Sequence, residues 1–191
     1  MDDNTFQWIT QQVMAAILGF ISVRQHAEHG YFGGYLIVNH MARPLEFHCT
    51  LPVKPTKAQS LLYGPTMDDF VCGEQIAKAL ITKAKLTPDL VITDTPPVLS
   101  ASLVCDVPII CINQDDSSES NSLRRPAESV VKCSTFQENK LKFSRNTEAN
   151  KVESVAAEVM KQLSDRFDVT EPFGRIVEAL FEAHPVIKAA A

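Results

Sequence analysis

Two apolar runs in the middle of the chain, Leu90-Val91-Ile92 and Val107 to Ile112, constrain the fold more than any other feature. Neither alternates with polar residues, which is the pattern of strands buried on both faces of a sheet. Between them, Pro97 to Val104 has room for two helical turns at most, so strand, short helix and strand imply a parallel pair. Asp94 stands at the carboxyl end of the first run and is followed by Thr95-Pro96-Pro97. In open α/β sheets that edge is where ligands are bound.

The flanking sequence supplies partners for this pair. Phe6, Ile9, Val13 and Ile17 have the three-to-four spacing of an amphipathic helix over Asp2 to Leu18, with Gly19 as its stop. Phe20 to Arg24, Tyr35 to Val38 and Leu45 to Val53 read as strands joined by short turns, hence an antiparallel meander. A helix is expected from about Phe70 to Lys83, with Val71, Ile76, Leu80 and Ile81 on its apolar face. Two weaker strands, Ser129 to Cys133 and Lys140 to Phe143, follow a serine-rich acidic run, and residues 114–128 are expected to be mobile. Helical spacing resumes over Lys151 to Phe167 and Glu171 to Ala183, with Pro172 suited to a first turn. The expectation is a single α/β domain: a mixed sheet of a three-strand meander plus two parallel strands, flanked by helices.

Composition narrows the class. A chain of 191 residues that is 45% hydrophobic has enough for one ordinary core. Its 18 basic and 23 acidic side chains give a formal charge of −5, which disfavours a strongly basic nucleic-acid grip. No run reaches the roughly 18 apolar residues of a membrane span, and a cytoplasmic protein is expected. Five cysteines, Cys49, Cys72, Cys105, Cys111 and Cys133, show no CxxC spacing and are read as reduced and mostly buried thiols.

The element order is similar to that of ribonuclease H-like folds. Within it, Pro88-Asp89-Leu90-Val91, the strand-end Asp94 and Asp106-Val107-Pro108 resemble the endonuclease V family over Leu51 to Ile112. That resemblance implies carboxylates converging on a divalent metal, because hard cations take oxygen ligands and stabilise both the attacking and leaving oxygens at a phosphate. The carboxylates it implies here are Glu74 and Asp94. The acidic residue expected on the first strand has no counterpart in Phe20-Ile21-Ser22-Val23-Arg24-Gln25, and Thr95-Pro96-Pro97 stands where the family has glycine and histidine. Asp94-Thr95-Pro96-Pro97 also resembles the metal-binding strand of ParA-like ATPases and bacterial tyrosine kinases, but none of the seven glycines begins the phosphate loop those proteins need.

Other constellations stand beside these. Glu46 and His48 share a face of the third strand by period two, and with His26, His29 or His40 could form a zinc or iron set. Cys72 near a helix start, Ser100 and Ser102 lack any nucleophile motif. Asp94 can equally cap the turn that follows it. Because one carboxylate of the metal set is missing, the sequence favours a non-catalytic binding or interaction role, with nucleic acid not the favoured partner and a homodimer through the C-terminal helix open. The alternative is a metal-dependent phosphodiesterase or nuclease using Asp94 and Glu74.

Overall fold

A computed structural model of the chain describes residues 16–113, 123–138, 141–149, 159 and 168–188. The strands are β1 (Leu18–His26), β2 (Gly30–Val38), β3 (Pro44–Cys49), β4 (Leu90–Thr93), β5 (Ile109–Asn113), β6 (Cys133–Glu138) and β7 (Leu141–Asn146). They form one sheet in the order β3-β2-β1-β4-β5-β7-β6. The meander β1-β2-β3 is antiparallel, and β4 lies parallel to both β1 and β5. The β6-β7 hairpin extends the sheet by pairing β7 antiparallel to β5. The sheet has seven strands where five were expected: the two weaker strands read at Ser129 to Cys133 and Lys140 to Phe143 correspond to β6, which starts at Cys133, and to β7, and both join the same sheet, with Phe143 buried in its core.

Both faces of the central strands are buried, and alternate residues go to different helices. Leu18, Phe20, Leu90, Ile92, Ile110 and Ile112 share one cluster with Phe173, Ile176 and Leu180 of α3 (Glu171–Ala183). Ile21, Val91, Ile109 and Cys111 share the other with Val71, Cys72, Ile76 and Leu80. The latter four sit on one unbroken helix, here α2, made of α-helical Met67–Asp69, π-helical Phe70–Ala77 and α-helical Lys78–Lys83. The wide turn is visible where Lys78 N–H reaches the carbonyl of Gly73, five residues back. A short α1 (Lys57–Tyr63) precedes it, opened by a Thr56/Gln59 capping box, and α4 (Pro185–Lys188) follows α3. Gly33 and Gly34 of β2 let both helix layers approach: a Cβ would lie 2.2 Å from Ile76 at the first and 2.4 Å from Ile176 at the second.

Several boundaries move. Gly19 does not end a helix but lies within β1, paired with Ile37 and Val91, because the Tyr35 ring lies over it and leaves no room for a side chain. Of the helix expected over residues 2–18, residues 2–15 fall outside the described residues, while Ala16 and Ile17 are not helical and Leu18 opens β1; the helix expected over 151–167 falls outside them apart from residue 159. Of the segment 114–128, residues 123–128 are described, and Leu123 is buried in the core. The apolar stripe of α3, considered for a dimer, is taken up by the sheet. Among the described residues no helix is long and apolar enough to cross a membrane.

Candidate functional site

The site follows from unequal strand lengths. β1 has nine residues and β4 only four, so β4 ends beside Ile21 and the second half of β1 runs past it. Asp94 is the next residue after β4, and its neighbour across the register is Ser22, whose hydroxyl donates to Asp94 Oδ1 at 2.9 Å. Two residues further along the same face, Arg24 closes on the same carboxylate: Nη2 donates to Oδ2 at 2.6 Å and Nη1 to Oδ1 at 3.3 Å. Nη1 also donates to the Val23 carbonyl at 3.0 Å. The two side chains are 11% and 0% exposed, so this is a buried, forked ion pair.

Thr95 and a distant segment finish the unpaired half of β1. Thr95 Oγ1 accepts the Val23 N–H at 3.1 Å and offers its proton to Asp94 Oδ1 at 2.9 Å or the Val23 carbonyl at 3.3 Å. Beyond it, Gln25 and Arg124 exchange backbone hydrogen bonds of 2.7 and 2.9 Å as an antiparallel bridge. Asp94 thus does not cap the following turn; its carboxylate receives side-chain donors from Ser22, Arg24 and Thr95. Pro96 and Pro97 instead open a 3-10 segment, Pro96–Leu103, in whose first turn missing N–H groups do no harm.

Glu74 occupies a different environment. It is exposed on the π-helical part of α2 and lines a cleft of about 250 Å³ with Tyr63, Asp69, Phe70, Lys132 and Glu148. Tyr63 and Phe70 stack there with ring centroids 4.0 Å apart. The cleft's back wall is the contact between α2 and the 3-10 segment, where Ser100 Oγ donates to the Asp69 or Pro97 carbonyl at 2.7 or 2.9 Å. Asp69 is buried, accepts from Ser129 Oγ and Val130 N–H, and burial raises its pKa. Asp94 is not part of the cleft lining.

The second candidate pair lies on the edge strand. Glu46 Oε1 and His48 Nε2 are 2.6 Å apart, and the Glu46 carboxylate also accepts the Lys85 and Leu86 N–H groups at 3.0 to 3.2 Å. The Lys85 N–H first, then His48 and after it the Leu86 N–H, lower the Glu46 pKa. His26 Nδ1 accepts from the backbone of Glu28 and His29, which organises the β1-β2 turn. All five cysteines are free thiols; Cys72 and Cys111 are buried as expected, whereas Cys49 and Cys133 are exposed.

These donor sets answer the question of a metal. Among the described residues no three His, Cys, Asp or Glu side chains come together as ligands. At Asp94 both carboxylate oxygens already face donors and a guanidinium, so a divalent ion does not fit the corner as built. Glu46 is likewise engaged by two backbone N–H groups and His48. What sequence reasoning passed over is the role of Ser22 and Arg24. The signal was the even positions of β1, apolar at Leu18 and Phe20 and polar from Ser22 onward, opposite a strand-end aspartate.

The fold and this corner define a mixed α/β domain of ribonuclease H-like type with a carboxylate at the end of its central strand. Compared with solved structures, the chain resembles the endonuclease V family. It superposes on Ciona intestinalis endonuclease V in complex with a 23mer DNA at 11% identity, with a TM-score of 0.51 and 100% of both chains covered. It superposes on human endonuclease V at 14% identity with a TM-score of 0.50, covering 93% of this chain and 87% of the other. Neither a family model nor a curated protein matches the sequence. The expectations of a non-catalytic role and of nucleic acid as a disfavoured partner are corrected by this likeness, which is to nucleases, one of them on DNA.

Proposed function

We propose that this chain acts on nucleic acid as a phosphodiesterase with a ribonuclease H-like fold. The observation that carries the reading is the buried ion pair of Asp94 and Arg24 at the carboxyl end of β4, the edge where open α/β sheets bind their ligands. Support comes from the shared fold with nucleases, including one bound to DNA. Nucleases of this class commonly employ divalent ions. The corner does not fit one, since both Asp94 oxygens already face donors.

The chain's own groups divide the work as follows. Arg24 is the cation that meets the phosphodiester and stabilises charge developing on its oxygens. Asp94, with Ser22 and Thr95, fixes the plane of the guanidinium, so Asp94 is a positioning residue. Glu74 lines a separate cleft that does not include Asp94 and takes no part at this corner.

End-labelled DNA and RNA oligonucleotides, single- and double-stranded and with or without inosine, are incubated with the protein in EDTA, Mg²⁺ and Mn²⁺. Cleavage that is lost in Asp94→Asn and kept in Glu74→Gln, each checked for folding, supports the reading. Absence of cleavage of every oligonucleotide in every buffer by folded wild-type protein overturns it.

A further inference from the structure

We infer that the cleft lined by Glu74 is a receptor for a guanidinium group, carried either by a small free cation or by an arginine of a partner. The inference goes beyond the proposed function and does not rest on it. One part of the lining is aromatic: the Tyr63 and Phe70 rings stack with centroids 4.0 Å apart and planes 18° apart. Stacking covers one face of each ring, and Tyr63 keeps 36% of its surface exposed. Phe70 and Glu74 are four positions apart on the π-helical part of α2, so their side chains are neighbours along the helix. Glu74 is exposed, and among the described residues its carboxylate has no hydrogen-bond or ion-pair partner.

Charge then selects the ligand. From the other side come Lys132, just before β6, and Glu148, just after β7. They are held together because the Thr147 N–H and hydroxyl both donate to the Lys132 carbonyl at 2.9 Å. The carboxylate of Asp69 is already spent on Ser129 Oγ and Val130 N–H. The exposed groups are therefore two carboxylates, Glu74 and Glu148, against one ammonium, an excess that repels phosphate and attracts a cation. A guanidinium suits the site better than an ammonium, since its plane stacks on an aromatic face while its N–H fork meets a carboxylate. Leu103 and Val130, each 54% exposed, line the same cleft and offer cover for a methylene stem. The volume of about 250 Å³ accommodates one such group.

The test is calorimetric titration of the full chain with N-acetyl-arginine amide, its neutral isostere N-acetyl-citrulline amide, and a pentapeptide of one arginine among glycines. Saturable binding of the arginine amide and none of the citrulline amide is expected. Glu74→Gln should weaken that binding about two- to fivefold, as should Tyr63→Ala, or Tyr63→Leu should the alanine variant not fold. Lys132→Gln, which removes the opposing charge, should tighten it. Tighter binding of the pentapeptide than of the amide assigns the guanidinium to a protein partner, and equal binding assigns it to a free small cation. No saturable binding of either arginine probe, equal binding of the citrulline amide, wild-type affinity in Glu74→Gln, or weakening by Lys132→Gln overturns the inference. Each of these results leaves the cleavage reading at Asp94 as it was.

Discussion

Breaking the Arg24–Asp94 pair from either side should be costly, and removing it whole should not. Arg24→Met leaves Asp94, 0% exposed, with only the Ser22 and Thr95 hydroxyls as donors. Removing one member of a buried pair typically costs roughly 3–5 kcal/mol, since the abandoned charge keeps its desolvation penalty. For a domain of this size that corresponds to a fall in Tm of about 6–20 °C. Asp94→Leu should cost less, because the Arg24 side chain is 11% exposed and keeps the Val23 carbonyl at 3.0 Å. The double variant Arg24→Met with Asp94→Leu should lie within about 1 kcal/mol of wild type, as apolar replacements of buried pairs often do. Urea denaturation followed by far-UV circular dichroism measures all four corners of the cycle. Single variants costing under about 1 kcal/mol, or a double variant equal to the sum of the singles, would refute the reasoning.

Three further outcomes follow from local geometry. At Gly73→Ala the new Cβ would meet Ser100 Oγ at 1.8 Å and the backbone nitrogen of Ala101 at 2.8 Å, so a loss of about 3 kcal/mol is expected in urea melts. Burial raises the Asp69 pKa, so the folded state binds that proton more tightly than the unfolded chain does. Stability from Asp69 should grow as pH falls from above its folded pKa toward the ordinary 3.8, and that part of the pH profile should be missing in Asp69→Asn. Cys49 and Cys133 should react with a thiol reagent in the native state, while Cys72 and Cys111, buried and with raised pKa values, should react only on unfolding.

The resemblance at Leu51 to Ile112 and the two apolar runs were enough to place β4, β5 and Asp94 at the end of a parallel pair. The meander and the helix delivering the chain to β4 were legible for the same reason: periodicity is a local property, read within a window of residues. The β6-β7 hairpin was legible only as two weak strands; that it extends the sheet beside β5 was not, because strand order depends on residues distant in sequence. The place of Gly19 depended on the Tyr35 ring, 16 positions away in the sequence.

At the site the division is sharper. The sequence alone determined that Asp94 stands at the carboxyl end of a buried strand and that the first strand carries no carboxylate beside it. Only the tertiary structure decided that Ser22 and Arg24 fill that place, that Thr95 and Arg124 take up the pairing β4 abandons, and that Glu74 faces a cleft which does not include Asp94. The reason is physical. An ion pair between residues 24 and 94 exists because two strands of unequal length lie in one particular register, and register belongs to the sheet as a whole.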